Sequence, residues 1–212
     1  ANLSKSYGLV SYIDNTFATP LIQKPHKLGI DIVIHSATKY FGGHSDICAG
    51  AVASSKEKID KIWSFSKKFG GSLSDYTAWL LERSMKTLTV RYYEQQKNAK
   101  ILSSFLNESS SIEKVHYPGI ENNEFHLIAC KQMNGFGGII SMNIKGGLEK
   151  SKSFLERTKI FALAESLGGV ESLIEHPALM THASLPKDRR EMIGISDGLV
   201  RLSVGLESLD DL

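Results

Sequence analysis

Ile30-Asp31-Ile32-Val33-Ile34-His35-Ser36-Ala37-Thr38-Lys39-Tyr40-Phe41-Gly42-Gly43-His44-Ser45-Asp46 decides the reading of this chain. Its first five residues form a short apolar run rich in β-branched side chains, the pattern of a buried strand. Polar groups follow at once: a Ser-x-Thr-Lys cluster and then a glycine pair. A strand that ends in hydroxyls and an amine puts chemistry where open parallel α/β sheets gather ligands, at the carboxyl ends of their strands. Upstream, Leu9 to Ile13 makes a second strand-like run, and it ends at Asp14. An acid at one strand end and Ser36, Thr38 and Lys39 at another form a suggestive set. Hydroxyls bind a phosphate, an amine can form a Schiff base, and an acid can pair with a protonated pyridine nitrogen. Singly these residues say little: an aspartate after a strand is usually a turn residue, and a loop lysine is usually solvated.

Outward from this core the chain alternates strands and helices, which makes the class α/β or α+β. Cys48 to Ala53 reads as a third strand. Ile59, Ile62, Trp63 and Phe69 mark a helix that stops at Gly70-Gly71. Ser72 or Ser74 then caps a long helical region reaching about Leu106. Trp79, Leu80, Leu81, Met85, Leu88 and Tyr92 give it an apolar side, expected to pack in the core. Val115 to Tyr117, Gly138 to Ile144 and Leu199 to Val204 read as strands. Leu148 to Thr158 reads as a helix, and Ser208 to Leu212 as the start of another. A soft boundary near residue 90 separates residues 1–90 from 91–212.

Composition limits the function classes. The chain has 212 residues, 42% hydrophobic and 23% charged, enough to bury a core. With 25 Lys and Arg against 23 Asp and Glu, the net charge of +2 offers no basic footprint for nucleic acid. No apolar run reaches membrane-spanning length. The two cysteines, Cys48 and Cys130, form no CxxC pair and read as buried small apolar residues. This cysteine usage and the lack of a visible signal peptide point to the cytoplasm. His26, His35 and His44 do not have the spacing of a short zinc motif, so no metal is expected. His182 is expected to be structural. Gly135-Phe136-Gly137-Gly138 lacks the third glycine of a dinucleotide loop, and Gly43-His44-Ser45-Asp46-Ile47 lacks the last glycine of a hydrolase elbow.

Longer motifs add a resemblance. Asp14-Asn15-Thr16-Phe17-Ala18-Thr19-Pro20 and His35 through Asp46 resemble the signature of the Cys/Met-metabolism family of pyridoxal 5'-phosphate (PLP) enzymes. Ala164 through Leu173, Pro177 through Ala183 and Gly194 through Glu207 match it as well. The family includes cystathionine γ-lyase, γ-synthase and β-lyase, and methionine γ-lyase. The resemblance implies the PLP-dependent transferase fold of type I, here the second half of the large PLP domain plus most of the C-terminal α/β domain. It implies γ-elimination or γ-replacement on sulfur amino acids, of the cystathionine γ-lyase or γ-synthase type. Methionine γ-lyase, cystathionine β-lyase and O-acylhomoserine sulfhydrylase are the alternatives within the family. A catalytically silent PLP-fold subunit is the alternative of another class, and a nucleotide-binding protein is a remote third.

Site roles follow from the same resemblance. Lys39 matches the lysine that holds PLP and moves protons. Asp14 matches the acid beside the pyridine nitrogen, and Ser36 and Thr38 match phosphate ligands. Thr16 lies near the ring in such enzymes. Arg201 matches the arginine that grips the substrate α-carboxylate, a task suited to a planar guanidinium. Ser166 matches a residue whose backbone helps place that carboxylate. Glu171 matches the acid of γ-lyases and γ-synthases, placed to hold the distal amino group of cystathionine or to tune elimination at the γ carbon. Its plainer reading is a surface carboxylate on a helix.

The resemblance also implies a homotetramer built from dimers with shared active sites. Family members are about twice this length. The chain has no initiator Met, and Ala1 to Gly8 reads as the end of a helix with a glycine stop. It is therefore expected to begin inside a domain. The phosphate loop, the ring-stacking tyrosine and the Tyr/Arg pair that reaches a neighbouring subunit have no counterpart here. A chain holding only this part of a parallel sheet is expected to aggregate or to bind PLP poorly.

Overall fold

A computed structural model describes all residues, 1–212. The chain divides into two compact units, Ala1–Thr89 with Gln132–Asn134, and Val90–Lys131 with Gly135–Leu212. The architecture is mixed α/β.

The first unit begins with helix α1 (Asn2–Ser6), after which Gly8 takes φ +63°, the left-handed geometry of a helix stop. Strand β1 (Tyr12–Asp14) runs parallel to β2 (Ile32–Ser36), with Asp14 opposite Ile34. The connection between them carries helix α2 (Thr19–Ile22) and a 3₁₀ turn over Pro25–Leu28. Strand β3 (Gly50–Ala53) pairs antiparallel with β2, so the sheet has the order β1-β2-β3. Ile32 and Val33 are buried, whereas Tyr12, Ile34 and Val52 leave apolar surface exposed on this sheet.

Helices α3 (Lys56–Phe69) and α4 (Asp75–Met85) follow. Gly70 closes α3 at φ +77°, and the Ser74 hydroxyl caps α4 by accepting the Thr77 N–H at 3.2 Å. The long helical region expected from the sequence divides into two helices. At Lys86 and Thr87 the backbone bonds tighten to residues three back, and the Thr87 hydroxyl donates to the Ser84 carbonyl at 3.0 Å. Helix α5 (Leu88–Glu108) then starts afresh. The expected core stripe is only half correct. Leu88 and Tyr92 are buried, but Trp79 and Met85 are exposed. Helical spacing shows which residues share a face and is silent about what covers that face.

The second unit is built on a five-stranded sheet of order β4-β5-β8-β7-β6. Its strands are β4 (Ile112–His116), β5 (Ile139–Ile144), β6 (Ala162–Leu163), β7 (Leu173–Glu175) and β8 (Leu199–Ser203). β4, β5, β8 and β7 pair antiparallel in turn, and only β6 and β7 are parallel. Ile140, Met142 and Ile144 alternate along β5 and meet Val200 and Leu202 in one core cluster. Ala99 and Leu102 of α5 pack on it, as does Leu155 of α7 (Gly147–Leu155). Fully burying such side chains stabilises by about 1.5–3 kcal/mol each. Helices α6 (His126–Gln132) and α8 (Lys187–Met192) complete the unit. The helix expected from Ser208 is one turn, with Asp211 and Leu212 donating to the Ser208 carbonyl.

Both cysteines are exposed, which corrects the buried reading. Cys48 lies in the loop before β3. Cys130 lies on α6, 3.4 Å from His126 Nε2. No helix is long and apolar enough to cross a membrane.

Candidate active site

The first group of predicted residues comes together because two parallel strands end side by side. Asp14 closes β1 and Ser36 closes β2. The Asp14 Oδ1 accepts the Thr16 N–H at 2.8 Å, an aspartate turn that fixes the carboxylate just beyond the strand. Thr16 Oγ1 accepts the Ser36 N–H at 2.7 Å and so ties the two strand ends together. Below them, Asn15 is buried, and its amide donates to the carbonyls of Thr19 and Gln23 at 3.2 Å. Thr19 holds φ +55°, an outlier for a β-branched residue, and is fully buried. Beside this turn lies a cavity of about 420 Å³ lined by Asp14, Asn15, Phe17, Ala18, Gln23 and Met133.

Lys39 rides on the turn after β2. Its N–H donates to the Ser36 carbonyl at 3.1 Å, and its own carbonyl accepts the Gly43 N–H at 2.7 Å. The turn is anchored by Tyr40 and Phe41, both buried, and by the His35 ring stacked on Phe41 at 4.7 Å. Gly42 allows this closure, because a Cβ there would meet the Ile47 side chain at 2.8 Å. Lys39 itself is half-buried. Thr38 faces β3: its hydroxyl accepts the Ala49 N–H at 2.9 Å and donates to the Ala49 carbonyl at 3.3 Å. Burial pushes the His35 imidazole below its ordinary value, partly offset by the nearby Asp14 charge.

The second group lies in the other unit. Arg201 sits mid-strand on β8, and its Nη2 donates to the carbonyls of Glu165 and Ser166 at 3.0 Å each. The same nitrogen lies 3.1 Å from Glu175 Oε2. The Ser166 carbonyl thus positions the arginine. Glu171 is in a loop rather than on a helix. Its carboxylate covers Gly169, where a Cβ would stand 2.6 Å from both oxygens.

Sequence reasoning missed what holds this loop. Glu207 accepts the Ser172 N–H at 2.7 Å and the Ser172 hydroxyl at 2.8 Å. That hydroxyl accepts the Gly205 N–H at 2.8 Å. The Asn98 amide donates to the carbonyls of Gly205 and Glu207, and the Gln95 amide to that of Gly169. The motif Ser166-Leu167-Gly168-Gly169-Val170-Glu171-Ser172 is therefore stapled both to the segment after β8 and to α5. Glu175, buried at the end of β7, was missed too. A three-residue strand is too short for an alternation signal.

The three histidines weighed as metal ligands each bond or stack locally. His26 and His44 engage the carbonyls of Ile30 and Gly42. His182 is half-buried, with its ring on the Thr181 hydroxyl at 2.9 Å.

Across its whole length, residues 1–212, the sequence matches the family described as Cys/Met metabolism PLP-dependent enzyme. The chain belongs to this family. It is 50% identical over 213 residues to cystathionine beta-lyase of Lactococcus lactis subsp. cremoris, covering 100% of this chain and 56% of that protein. It is 50% identical over 202 residues to L-methionine gamma-lyase of Fusobacterium nucleatum subsp. polymorphum, covering 94% of this chain and 51% of that one. Among solved structures, cystathionine gamma-lyase from Lactobacillus plantarum complexed with L-serine superposes with a TM-score of 0.94 at 44% identity. That match covers 99% of this chain and 55% of the other. The chain thus spans about half the length of the relatives it matches.

The strand-end cluster fits the cofactor of the Cys/Met metabolism family. The adjoining strand ends and the turn after β2 carry one carboxylate, two hydroxyl residues and one lysine, and an open cavity adjoins the carboxylate. These residue types have the chemistry such a cofactor asks for: an acid for a pyridine nitrogen, hydroxyls for a phosphate and an amine for an aldehyde.

Proposed function

We propose that this chain serves a PLP-dependent enzyme that breaks or exchanges carbon–sulfur bonds of amino acids. The proposed chemistry is γ-elimination or γ-replacement, of the cystathionine γ-lyase or γ-synthase type. The observation that carries the reading is the joining of Asp14, Thr16, Ser36 and the Lys39 turn at the ends of two parallel strands. Bound PLP supplies an electron sink for the carbanion at the substrate α carbon.

The chain's own residues do the rest. Asp14 favours the protonated pyridine nitrogen, because an adjacent carboxylate stabilises that cation. The Ser36 hydroxyl binds the phosphate. Thr38 shares that role by turning its hydroxyl proton away from the Ala49 carbonyl while still accepting the Ala49 N–H. Thr16 holds the two strand ends in register. Lys39 would hold the cofactor covalently; once the substrate's amine has taken its place, the freed Lys39 amine would take the α proton and return it at a neighbouring carbon. Arg201 binds the α-carboxylate, and Glu171 faces the distal ammonium group of cystathionine.

A second reading has its own support. The 50% identity to a protein named cystathionine beta-lyase favours elimination at the β carbon. Products separate the two. γ-Cleavage of cystathionine yields cysteine, 2-oxobutanoate and ammonia, whereas β-cleavage yields homocysteine, pyruvate and ammonia. We further infer a homotetramer of dimers with shared sites, an assembly supported by family membership. A cytoplasmic setting is supported by the two free thiols, which a reducing compartment preserves.

The test is a visible absorption spectrum of the purified full-length parent protein with PLP, followed by borohydride reduction and peptide mapping. A visible band with the label on Lys39 is expected, and Lys39→Ala is expected to abolish turnover with the fold kept. A label on another residue would overturn the assignment. Retained turnover in Lys39→Ala would do the same, and a spectrum with no band would favour a catalytically silent subunit.

A further inference from the structure

Glu175 and Arg201 stand directly opposite each other on the antiparallel pair β7–β8, so both side chains leave the same face of the sheet. Glu175 is 2% exposed and Arg201 17%. A carboxylate taken this far from water is tolerated only when charge-paired and hydrogen-bonded. Its Oε2 lies 3.1 Å from Arg201 Nη2, and its Oε1 lies 3.5 Å from the Thr181 hydroxyl. The Glu165 and Ser166 carbonyls converge on that same Nη2 at 3.0 Å. Nη2 carries two hydrogens, which the two carbonyls engage, while the Glu175 carboxylate faces the same nitrogen as an ion pair without hydrogen-bond geometry; together they hold that end of the guanidinium within a narrow range of orientations.

The difference in exposure separates the roles. A carboxylate arriving from solvent can reach Arg201 but not Glu175. We propose that Glu175 is a positioning residue. It fixes the Arg201 guanidinium in the orientation that recognises the substrate α-carboxylate, and it balances the arginine's charge while no substrate is bound. The inference rests on the reading of Arg201 as the carboxylate-binding group.

The experiment compares two ligands of the PLP-loaded full-length parent protein that carry no leaving group, L-norleucine and n-pentylamine. They differ only in the α-carboxylate. Affinities come from the change in visible absorbance on titration. Glu175→Ala is expected to weaken L-norleucine about tenfold and leave n-pentylamine within about twofold, because only the carboxylate contact needs an oriented guanidinium. Glu175→Gln keeps an acceptor oxygen at the same reach and is expected to restore the preference to within about threefold of the parent. Glu175→Asp keeps the charge but withdraws it by one methylene, and is expected to weaken L-norleucine selectively even if the alanine variant fails to fold.

Equal weakening of both ligands, or an unchanged ratio in the alanine and aspartate variants, would overturn the proposal. Arg201→Ala separates this from the parent reading. If that variant leaves the norleucine-to-pentylamine ratio unchanged, the Arg201 assignment itself fails. If it collapses the ratio while the Glu175 variants do not, only the role of Glu175 fails.

Discussion

Thr16 Oγ1 accepts the Ser36 N–H at 2.7 Å, a side-chain bond that bridges the ends of two neighbouring parallel strands. Parallel strands need long crossover connections, so local turn chemistry does not hold their ends in register. Here the hydroxyl of one threonine takes that part. Thr16→Val keeps the branched shape and removes the acceptor. It is expected to cost about 1–2 kcal/mol of stability, the penalty of leaving a part-buried N–H unsatisfied. Thr16→Ser is expected to restore most of the loss. Urea unfolding of the three proteins side by side checks this, and equal midpoints would contradict it.

Ser36 and Thr38 look equivalent in the sequence but not in the fold. The Thr38 hydroxyl is bonded to both the N–H and the carbonyl of Ala49, while Ser36 contributes its backbone to Thr16. Ser36→Ala is therefore expected to weaken PLP binding with little change in melting temperature. Thr38→Ala is expected to lower the melting temperature as well, by an amount equivalent to about 1 kcal/mol. Thermal melts of the PLP-free proteins, paired with PLP titrations, separate the two effects. Matching losses of stability in both variants would rule out the distinction.

How much of this was open to reading from the sequence depends on the range of each interaction. The ends of β1 and β2 were legible because Asp14 and the Ser36–Lys39 cluster each follow a short apolar run. The Ser74 cap and the Gly70 stop were legible because both act within one turn of helix. What joins distant segments was not. Glu207 and Ser172 are 35 positions apart, and Gln95 and Gly169 are 74 apart. The exposure of Trp79, Met85, Cys48 and Cys130 was illegible for the same reason, since burial depends on what the rest of the chain covers.

Glu207 offers a direct test of the stapled loop. Its carboxylate accepts both the N–H and the hydroxyl of Ser172, and hydrogen bonds to a charged group contribute about 1.5–3 kcal/mol each. Glu207→Ala is expected to lower stability by about 2–4 kcal/mol, the upper range for losing a bonded charged partner. The loop carrying Glu171 and Ser166 is expected to gain hydrogen exchange at the amides of Gly168 and Ser172. Exchange measured by mass spectrometry would refute the staple if those amides stayed as protected as in the parent.

Two buried histidines, His35 and His176, and the half-buried His116 set the expected response to acid. Burial is the leading cause that lowers the imidazoles of His35, His116 and His176 below the ordinary 6.5. Each also has one ring nitrogen buried without a hydrogen-bond partner: Nδ1 of His35, Nε2 of His116 and Nδ1 of His176. His176 Nε2 donates to the Asp197 carbonyl at 3.0 Å, so the neutral ring carries its proton there and leaves Nδ1 without one. The folded state therefore resists protonation that the unfolded chain accepts. Stability is fully present above about pH 6.5 and falls as pH drops below it, because there the unfolded state binds more protons. Asp31 and Asp197 are also lowered in the fold, by hydrogen bonds first, but they act near and below their ordinary 3.8. The two windows are thus separate. His176→Gln can keep a donor toward the Asp197 carbonyl and removes one of the three titrations, so it is expected to reduce the loss below pH 6.5 while leaving the carboxylate window unchanged. Melting temperatures collected from pH 8 to 3 check the sign: a melting temperature that rose on acidification through pH 6 would contradict the neutral state assigned to these histidines.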